Sequence, residues 1–311
     1  MNATVNQPQP PGATVGDWVA GARPRTLPAA ISPVLAGSGI AWFADAFTPA
    51  RALLALLVSL ALQIGVNYAN DYSDGIRGTD ADRVGPMRLV GSGLVDPPKV
   101  KRAAFGCFAV AGIAGVALVA ISGTWWLLIV GALSILAAWF YTGGRNPYGY
   151  LGLGEVFVFV FFGLVAVCGT AYVMMLRASP AALAAACAIG FLACALLVAN
   201  NLRDIDGDRL SGKKTLATRL GHSGTKTLYV TLVAGAAVAV AVVAALTSLW
   251  ALLGLVFAIP AAITCRAVLG VGHSLGRNDH LALIGVLKKI GIAELLCAVG
   301  LAAGLVLGTV L

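Results

Sequence analysis

Charge is what this sequence has least of. Asp, Glu, Lys and Arg make up 11% of its 311 residues, against 59% apolar and a mean hydropathy of +0.90. A water-soluble globule of this length is excluded, because it needs far more polar surface to cover it. There is no dense basic arm, and most Lys and Arg share loops with carboxylates, which excludes nucleic acid as a partner. The six cysteines (Cys107, Cys168, Cys187, Cys194, Cys265 and Cys297) lie in apolar runs without C-x-x-C spacing or a flanking histidine, so they carry no zinc or redox signal. His222, His273 and His280 share no spacing and read as loop surface. The segment Gly212-Lys213-Lys214-Thr215 lacks the upstream glycines of a phosphate loop, which removes a nucleotide triphosphatase. Residues 1–16 hold no Lys or Arg and no apolar core, so they do not read as a secretory signal. Pro8, Pro10, Pro11 and Gly12 lead us to expect a disordered tail there.

What is present in abundance is long apolar sequence. Nine stretches of about 17 to 23 residues are each long enough to cross the hydrocarbon core of a bilayer. They run Leu27–Ala44, Ala52–Ala69, Ala103–Ser122, Trp125–Tyr141, Gly154–Leu176, Ala181–Ala199, Leu228–Leu246, Leu249–Leu269 and Ile290–Leu311. A helix bonds its own backbone in lipid, and no stretch alternates like a barrel strand, so the expected fold is all-α and polytopic. Residues 17–311 are expected to form a single domain of nine transmembrane helices. With the N-terminus in the cytoplasm, every Lys and Arg except Arg51 and Arg177 falls on the cytoplasmic side. So lopsided a split sets the orientation and makes the tail cytoplasmic.

The acids cluster as well. Asp71, Asp74, Asp80, Asp82 and Asp96 follow the second stretch, and Asp204, Asp206 and Asp208 follow the sixth. Aligning Asp71 with Asp204 also aligns Asn67 with Asn200, each one helical turn before its Asp. Two such units four helices apart would face each other across one cavity. Carboxylates at these spacings are hard ligands suited to Mg²⁺. The same loops hold Arg77, Arg83, Arg88, Arg203, Arg209, Lys213 and Lys214, and that mixture suits a metal-bridged diphosphate. The plainer alternative is a pair of solvated loops whose opposite charges pair with one another. A diphosphate at the mouth of an apolar helical cavity points to a polyprenyl diphosphate with its tail in lipid.

The stretch Asn70-Asp-Tyr-Ser-Asp74-Gly-Ile-Arg77-Gly-Thr-Asp80 resembles the first aspartate-rich motif of the UbiA-type intramembrane prenyltransferases, and Asp204-Ile-Asp-Gly-Asp208 is similar to their second. Within that superfamily three segments resemble the 1,4-dihydroxy-2-naphthoate polyprenyltransferases of menaquinone synthesis. These are Ala22-Arg-Pro-Arg25-Thr-Leu-Pro28, Asp82-Arg83-Val-Gly85-Pro86-Met-Arg88 and Asn146-Pro-Tyr148-Gly-Tyr150-Leu-Gly-Leu-Gly154-Glu155. Where many relatives carry a third carboxylate four residues after Asp74, this chain has Gly78.

The resemblance implies a nine-helix prenyltransferase domain in a bacterial cytoplasmic membrane, its central cavity open to the bilayer and its active site facing the cytoplasm. It implies transfer of a polyprenyl chain to 1,4-dihydroxy-2-naphthoate, with loss of diphosphate and CO2, giving demethylmenaquinol. Mg²⁺ and basic side chains would neutralise the leaving diphosphate, and the naphthoate ring would attack the allylic cation. On this basis Asp71, Asp74, Asp204 and Asp208 are expected to bind metal, with Asp80 as a fifth ligand. Arg77, Arg83, Arg88, Arg203 and Lys213 are expected to meet the diphosphate, with Asn67 and Asn200 orienting carboxylates or contacting phosphate. Tyr72, Tyr141 and Tyr148 are candidates to face the cation. Arg25 or Arg145 would recognise the naphthoate carboxylate. Glu155 and Glu294 lie inside apolar stretches, where an ionisable group defaults to a functional or paired role. Glu155 is expected to act as a base toward the ring hydroxyl or to form a structural pair, and Glu294 to pair with Lys288 or Lys289.

Two rival readings follow from the same residues. Another acceptor, such as 4-hydroxybenzoate or a tetrapyrrole, would use the same two Asp motifs. A carrier for an anionic metabolite would also need many helices, but it should place its polar residues near the bilayer midplane. Here they crowd at one face.

Overall fold

The computed structural model describes residues 12–78, 88–145, 147–272 and 275–311. Among them every regular element is a helix. The chain enters through a short helix α1 (Val15–Gly21), whose N-terminus is closed by a reciprocal pair of bonds between Thr14 and Asp17. α1 begins inside the span assigned to the tail. It leads through a turn at Pro24–Thr26 into α2 (Pro28–Phe43), and the two lie at 50°. α3 (Pro49–Ile76), α4 (Pro97–Ser122) and the short α5 (Leu127–Phe140) follow. α6 (Gly154–Met175) widens to a π-helix between Phe159 and Cys168. α7 (Pro180–Arg203), the single-turn α8 (Ile205–Leu210), α9 (Leu216–Leu246), α10 (Leu249–Gly270) and α11 (Arg277–Val310) complete the bundle. α2, α3, α4 and α7 each open on proline, where the missing N–H would have had no intrahelical partner.

Seven of these helices are long and apolar enough to span a membrane, and the bent α1–α2 pair makes an eighth. α5, with 14 residues, is apolar but shorter. Each apolar stretch read from the sequence coincides with one helix or lies mostly within it. α9 and α11 begin well before the stretches that marked them, because their first turns are polar. Large apolar side chains such as Ile113, Ile129, Leu249 and Ile259 stand outward and exposed, a surface that only lipid tolerates.

α7 is the central post. Buried residues make up 72% of its apolar stretch, against 28–39% for α3, α4, α6, α9 and α10. Its run of Ala181, Ala182, Ala184, Ala185, Ala186 and Ala188 lets α2, α6, α9 and α11 come close around it. α11 lies on α10 through Gly300 and Gly304, one turn apart. A Cβ at either would overlap the backbone carbonyl of Leu253 or Trp250. Small residues take this role because helices in lipid gain contact by close backbone approach.

The bundle has two chemically different ends. At one, the α3, α5 and α7 C-termini meet the start of α6 and carry the acidic motifs. At the other, the Arg51 guanidinium donates to Val173 O at 2.8 Å and to Ile121 O at 2.9 Å, joining the last turns of α6 and α4 to the start of α3.

The close contact of α10 with α11 yields a test. Gly304→Leu should lower the thermal unfolding midpoint in detergent, with a loss of about 1–3 kcal/mol for overpacking. Gly112→Leu, at a site with open space around it, should leave that midpoint near wild type.

Candidate active site

α3 runs beyond its apolar stretch, and its last three turns carry Asn67, Asn70, Asp71 and Asp74. Asp71 is almost wholly buried. Its Oδ2 accepts from the Leu89 N–H at 2.7 Å and its Oδ1 from the Val90 N–H at 3.0 Å. Asn67 donates to Ala22 O at 2.8 Å and to Thr26 Oγ1 at 2.9 Å, beside Gln63, which donates to the same hydroxyl at 3.0 Å. Asp71 and Asn67 therefore tie neighbouring chain to α3. Asp74 is placed differently. Its Oδ1 accepts from the Tyr150 hydroxyl at 2.6 Å, and Arg88 Nη2 lies 3.4 Å from its Oδ2.

The second motif closes α7. Arg203, itself buried, donates Nε to Asp204 Oδ1 and Nη2 to Asp204 Oδ2, both at 2.7 Å, and Nη2 to Asn200 Oδ1 at 2.8 Å. One turn on, Asp208 is buried with Lys213 Nζ 3.5 Å from its Oδ1. Asn70-x-x-x-Asp74 repeats the spacing of Asn67-x-x-x-Asp71 and of Asn200-x-x-x-Asp204, and Asp74 is linked to the second motif through Tyr150, whose ring lies under Lys213.

The segment between α5 and α6 lies between the two motifs. Arg77 donates to the carbonyls of Thr142 and Gly144, and the Thr142 hydroxyl donates to Asn70 Oδ1 at 2.7 Å. Tyr150 bonds Asp74, and its ring lies under Lys213 Nζ at 4.5 Å and the Arg77 guanidinium at 5.6 Å. Tyr141 is within electrostatic reach of Glu155, Asp74 and Asp208. It packs edge-on to Tyr148 at 5.5 Å, and Tyr148 stacks on Phe157 at 3.9 Å, which starts a row of rings leading into α6. Burial pushes the Tyr148 phenol above the ordinary tyrosine range, so it stays protonated and donates to Ala137 O at 2.7 Å. Glu155 is buried, with Oε1 accepting from Asn201 Nδ2 at 2.9 Å.

The remaining assigned residues scatter. Tyr72 turns toward α4 and α5, where it stacks with Trp139 at 6.0 Å and lies under Lys101. Arg25 and Arg145 are exposed. Asp80 and Arg83 lie outside the described residues, as do Asp82 and His273. Glu294 corrects an expectation: it is fully buried, and neither carboxyl oxygen has a hydrogen-bond partner among the described residues, while Lys288 and Lys289 are exposed. His222 is not loop surface but buried in α9, with Nε2 3.6 Å from Asp206 Oδ1. Among the described residues no three His, Cys, Asp or Glu side chains gather closely enough to hold a metal. Sequence reasoning passed over Tyr150, Asn70 and Asn201. Two of these are asparagines adjacent to residues that were chosen or quoted, and Tyr150 lies inside a quoted segment.

A family model for the UbiA prenyltransferase family matches residues 30–275. The chain belongs to that family. It is 51% identical to the 1,4-dihydroxy-2-naphthoate octaprenyltransferase of Mycobacterium tuberculosis over 95% of this chain and 99% of that one. To the enzyme of the same name from Escherichia coli it is 42% identical over 75% of this chain and 78% of that one. A UbiA homologue from Archaeoglobus fulgidus, solved with GPP and Mg²⁺, shares the fold with a TM-score of 0.64 at 15% identity, over 91% of this chain and 99% of that one.

The two amide bonds to Asp71 give a prediction. Asp71→Ala should destabilise the fold by about 1–3 kcal/mol, since one buried and one part-buried N–H group lose a charged acceptor. Faster amide exchange at Leu89 and Val90 should accompany the loss, and unchanged exchange there would remove the anchoring role.

Proposed function

We propose that this chain transfers a polyprenyl group from polyprenyl diphosphate to 1,4-dihydroxy-2-naphthoate, releasing diphosphate and CO2 and forming demethylmenaquinol for menaquinone synthesis. In this reading nine helices, the α1–α2 pair, the seven long spans and α5, cross a bacterial cytoplasmic membrane around a central cavity open to lipid. The N-terminus and the active site face the cytoplasm. The bias of Lys and Arg toward one side supports that orientation. The observation that carries the reading is the meeting of Asp74 with the Lys213–Asp208 pair on the ring of Tyr150. It occurs in a chain half identical to a named naphthoate octaprenyltransferase.

The donor set fits Mg²⁺ when the ion arrives with diphosphate. Asp74, Asp204 and Asp208 are hard oxygen donors. Each has a cationic partner, Arg88, Arg203 or Lys213, for which a phosphate oxygen is an equally strong acceptor. Arrival of diphosphate draws Arg88 and Lys213 onto phosphate and leaves oxygens of Asp74 and Asp208 for the metal, while Asp204 stays oriented by Arg203 and offers its remaining lone pairs, so no preformed cage of three carboxylates is required. Bound there, Mg²⁺ would supply the Lewis acidity that neutralises the leaving group.

The side chains have separate tasks. Lys213 and Arg88 bind diphosphate charge, with Arg77 and Arg83 as further cations for it. Arg203 and Asn200 orient Asp204. Asp71 and Asn67 position the end of α3 rather than reach the metal, and Asp80 would complete the ligand set. Tyr141 and Tyr148 turn ring faces toward the developing allylic cation, with Phe157 continuing the wall. Glu155, held by Asn201, accepts a hydrogen bond from the ring hydroxyl and so raises electron density at the carbon that is attacked. Arg25 or Arg145 meets the naphthoate carboxylate before it departs as CO2.

The full chain in detergent, given radiolabelled polyprenyl diphosphate and a panel of aromatic acceptors, should prenylate the naphthoate and lose activity when EDTA removes Mg²⁺. Asp74→Ala and Asp208→Ala should each slow turnover by about 10²-fold or more, the scale of losing an electrostatic contact to a leaving group. A preference for 4-hydroxybenzoate would overturn the acceptor assignment. Absence of transfer to every acceptor would restore the anion carrier.

A further inference from the structure

Tyr150 is joined to both acidic motifs at once. Its hydroxyl donates to Asp74 Oδ1 at 2.6 Å, and its ring face carries Lys213 Nζ at 4.5 Å. The same ammonium is 3.5 Å from Asp208 Oδ1. An unbroken path therefore runs from Asp74 through one phenol and one ammonium to Asp208, linking the end of α3 to α8.

The backbone around Tyr150 fixes the ring in place. Tyr150 belongs to a 3₁₀ turn, Tyr148–Leu151, tied on one side to the loop of the second motif. The Lys214 N–H donates to Tyr150 O at 2.9 Å, and Arg219 Nη2 donates to Leu151 O at 2.9 Å. Gly152 follows at φ +79°, and a Cβ there would crowd Lys214 O at 2.9 Å. From the end of α3, Arg77 also reaches the ring, with its guanidinium 5.6 Å from the centroid. Backbone bonds thus hold this turn to one motif while the phenol and a cation–π contact hold it to the other.

We propose that Tyr150 is a positioning residue that sets the separation of the two carboxylate motifs and presents Asp74 and Lys213 to an incoming metal–diphosphate. The inference rests on the prenyl-transfer reading above. Tyr150 does not act on the reacting carbon. Its hydroxyl orients one carboxylate, and its ring seats the ammonium that turns to phosphate when diphosphate arrives. Phenylalanine keeps the seat and loses the hydroxyl; leucine loses both.

The test separates those two contributions. Mn²⁺ is titrated into the detergent-purified full chain in the presence of inorganic diphosphate, with free ion followed by electron paramagnetic resonance. Tyr150→Phe should weaken Mn²⁺ binding by about tenfold, the scale of one hydrogen bond to a charged group. Its unfolding midpoint and its KM for naphthoate should stay near wild type. Tyr150→Leu should weaken Mn²⁺ binding at least as much and also raise the KM for polyprenyl diphosphate. Wild-type Mn²⁺ affinity in Tyr150→Phe overturns the proposal. So does a drop in affinity matched by a lowered unfolding midpoint, which would make the residue only structural. If the wild type binds no Mn²⁺ with diphosphate, the metal reading itself falls and this inference with it, a result distinct from a defect confined to the variants.

Discussion

Inside a bilayer a peptide N–H has no water to bond, and the whole architecture follows from that fact. Each crossing must be a helix, and each helix must end before its last carbonyls and first amides can meet solvent or a side chain. Polar residues are consequently driven to helix ends, and the bundle sorts them by end. One end receives almost all the acids. The other receives Arg51, Arg177 and Asp45, and the Arg51 guanidinium caps carbonyls in the last turns of two helices. The placement of chemistry in this protein is therefore a corollary of helix termination.

Crowding acids together at a helix end creates a second constraint, because like charges at that spacing repel. The chain resolves it locally. Asp71 lies on two amides, Asp74 on a phenol and Arg88, Asp204 on Arg203 and Asp208 on Lys213. The acids are stabilised by partners of several kinds, which differ in how readily they let go. Backbone amides and a buried bidentate arginine are durable, whereas a phenol and a lysine ammonium at 3.5 Å exchange easily. That gradient divides a row of similar aspartates into those that brace the site and those whose partners a ligand can displace.

Hydropathy made the helices legible because lipid burial is written in every residue of a span. Their polar first turns were not, and so α9 and α11 began earlier than expected. The site was legible in its members and less so in their register. Spacing matched Asp71 to Asp204, but it carried no sign that Asp71 would lie on the amides of Leu89 and Val90 while Asp74 met Tyr150. All three partners come from outside α3. Tyr72 illustrates the same limit from the other side: it neighbours Asp71 in sequence, yet the helix turns its ring to Trp139 and away from the acids. Glu294 was expected to pair with the nearest lysines, but on a helix surrounded by others the direction a side chain points outweighs its distance along the chain.

The contact at Arg51 bears on motion as well as stability. Three helices joined at one end and bridged at the other by contacts between side chains behave like a clothes peg, with its spring at the far face of the membrane. Displacement then grows in proportion to distance from the pivot. Over a span of about 30 Å, a tilt of about 2° opens the opposite mouth by about 1 Å. The jaws of that peg are the end of α3, with Asp71 and Asp74, and the starts of α4 and α6, so a small change of charge partner at Asp74 has the whole length of a helix as its lever.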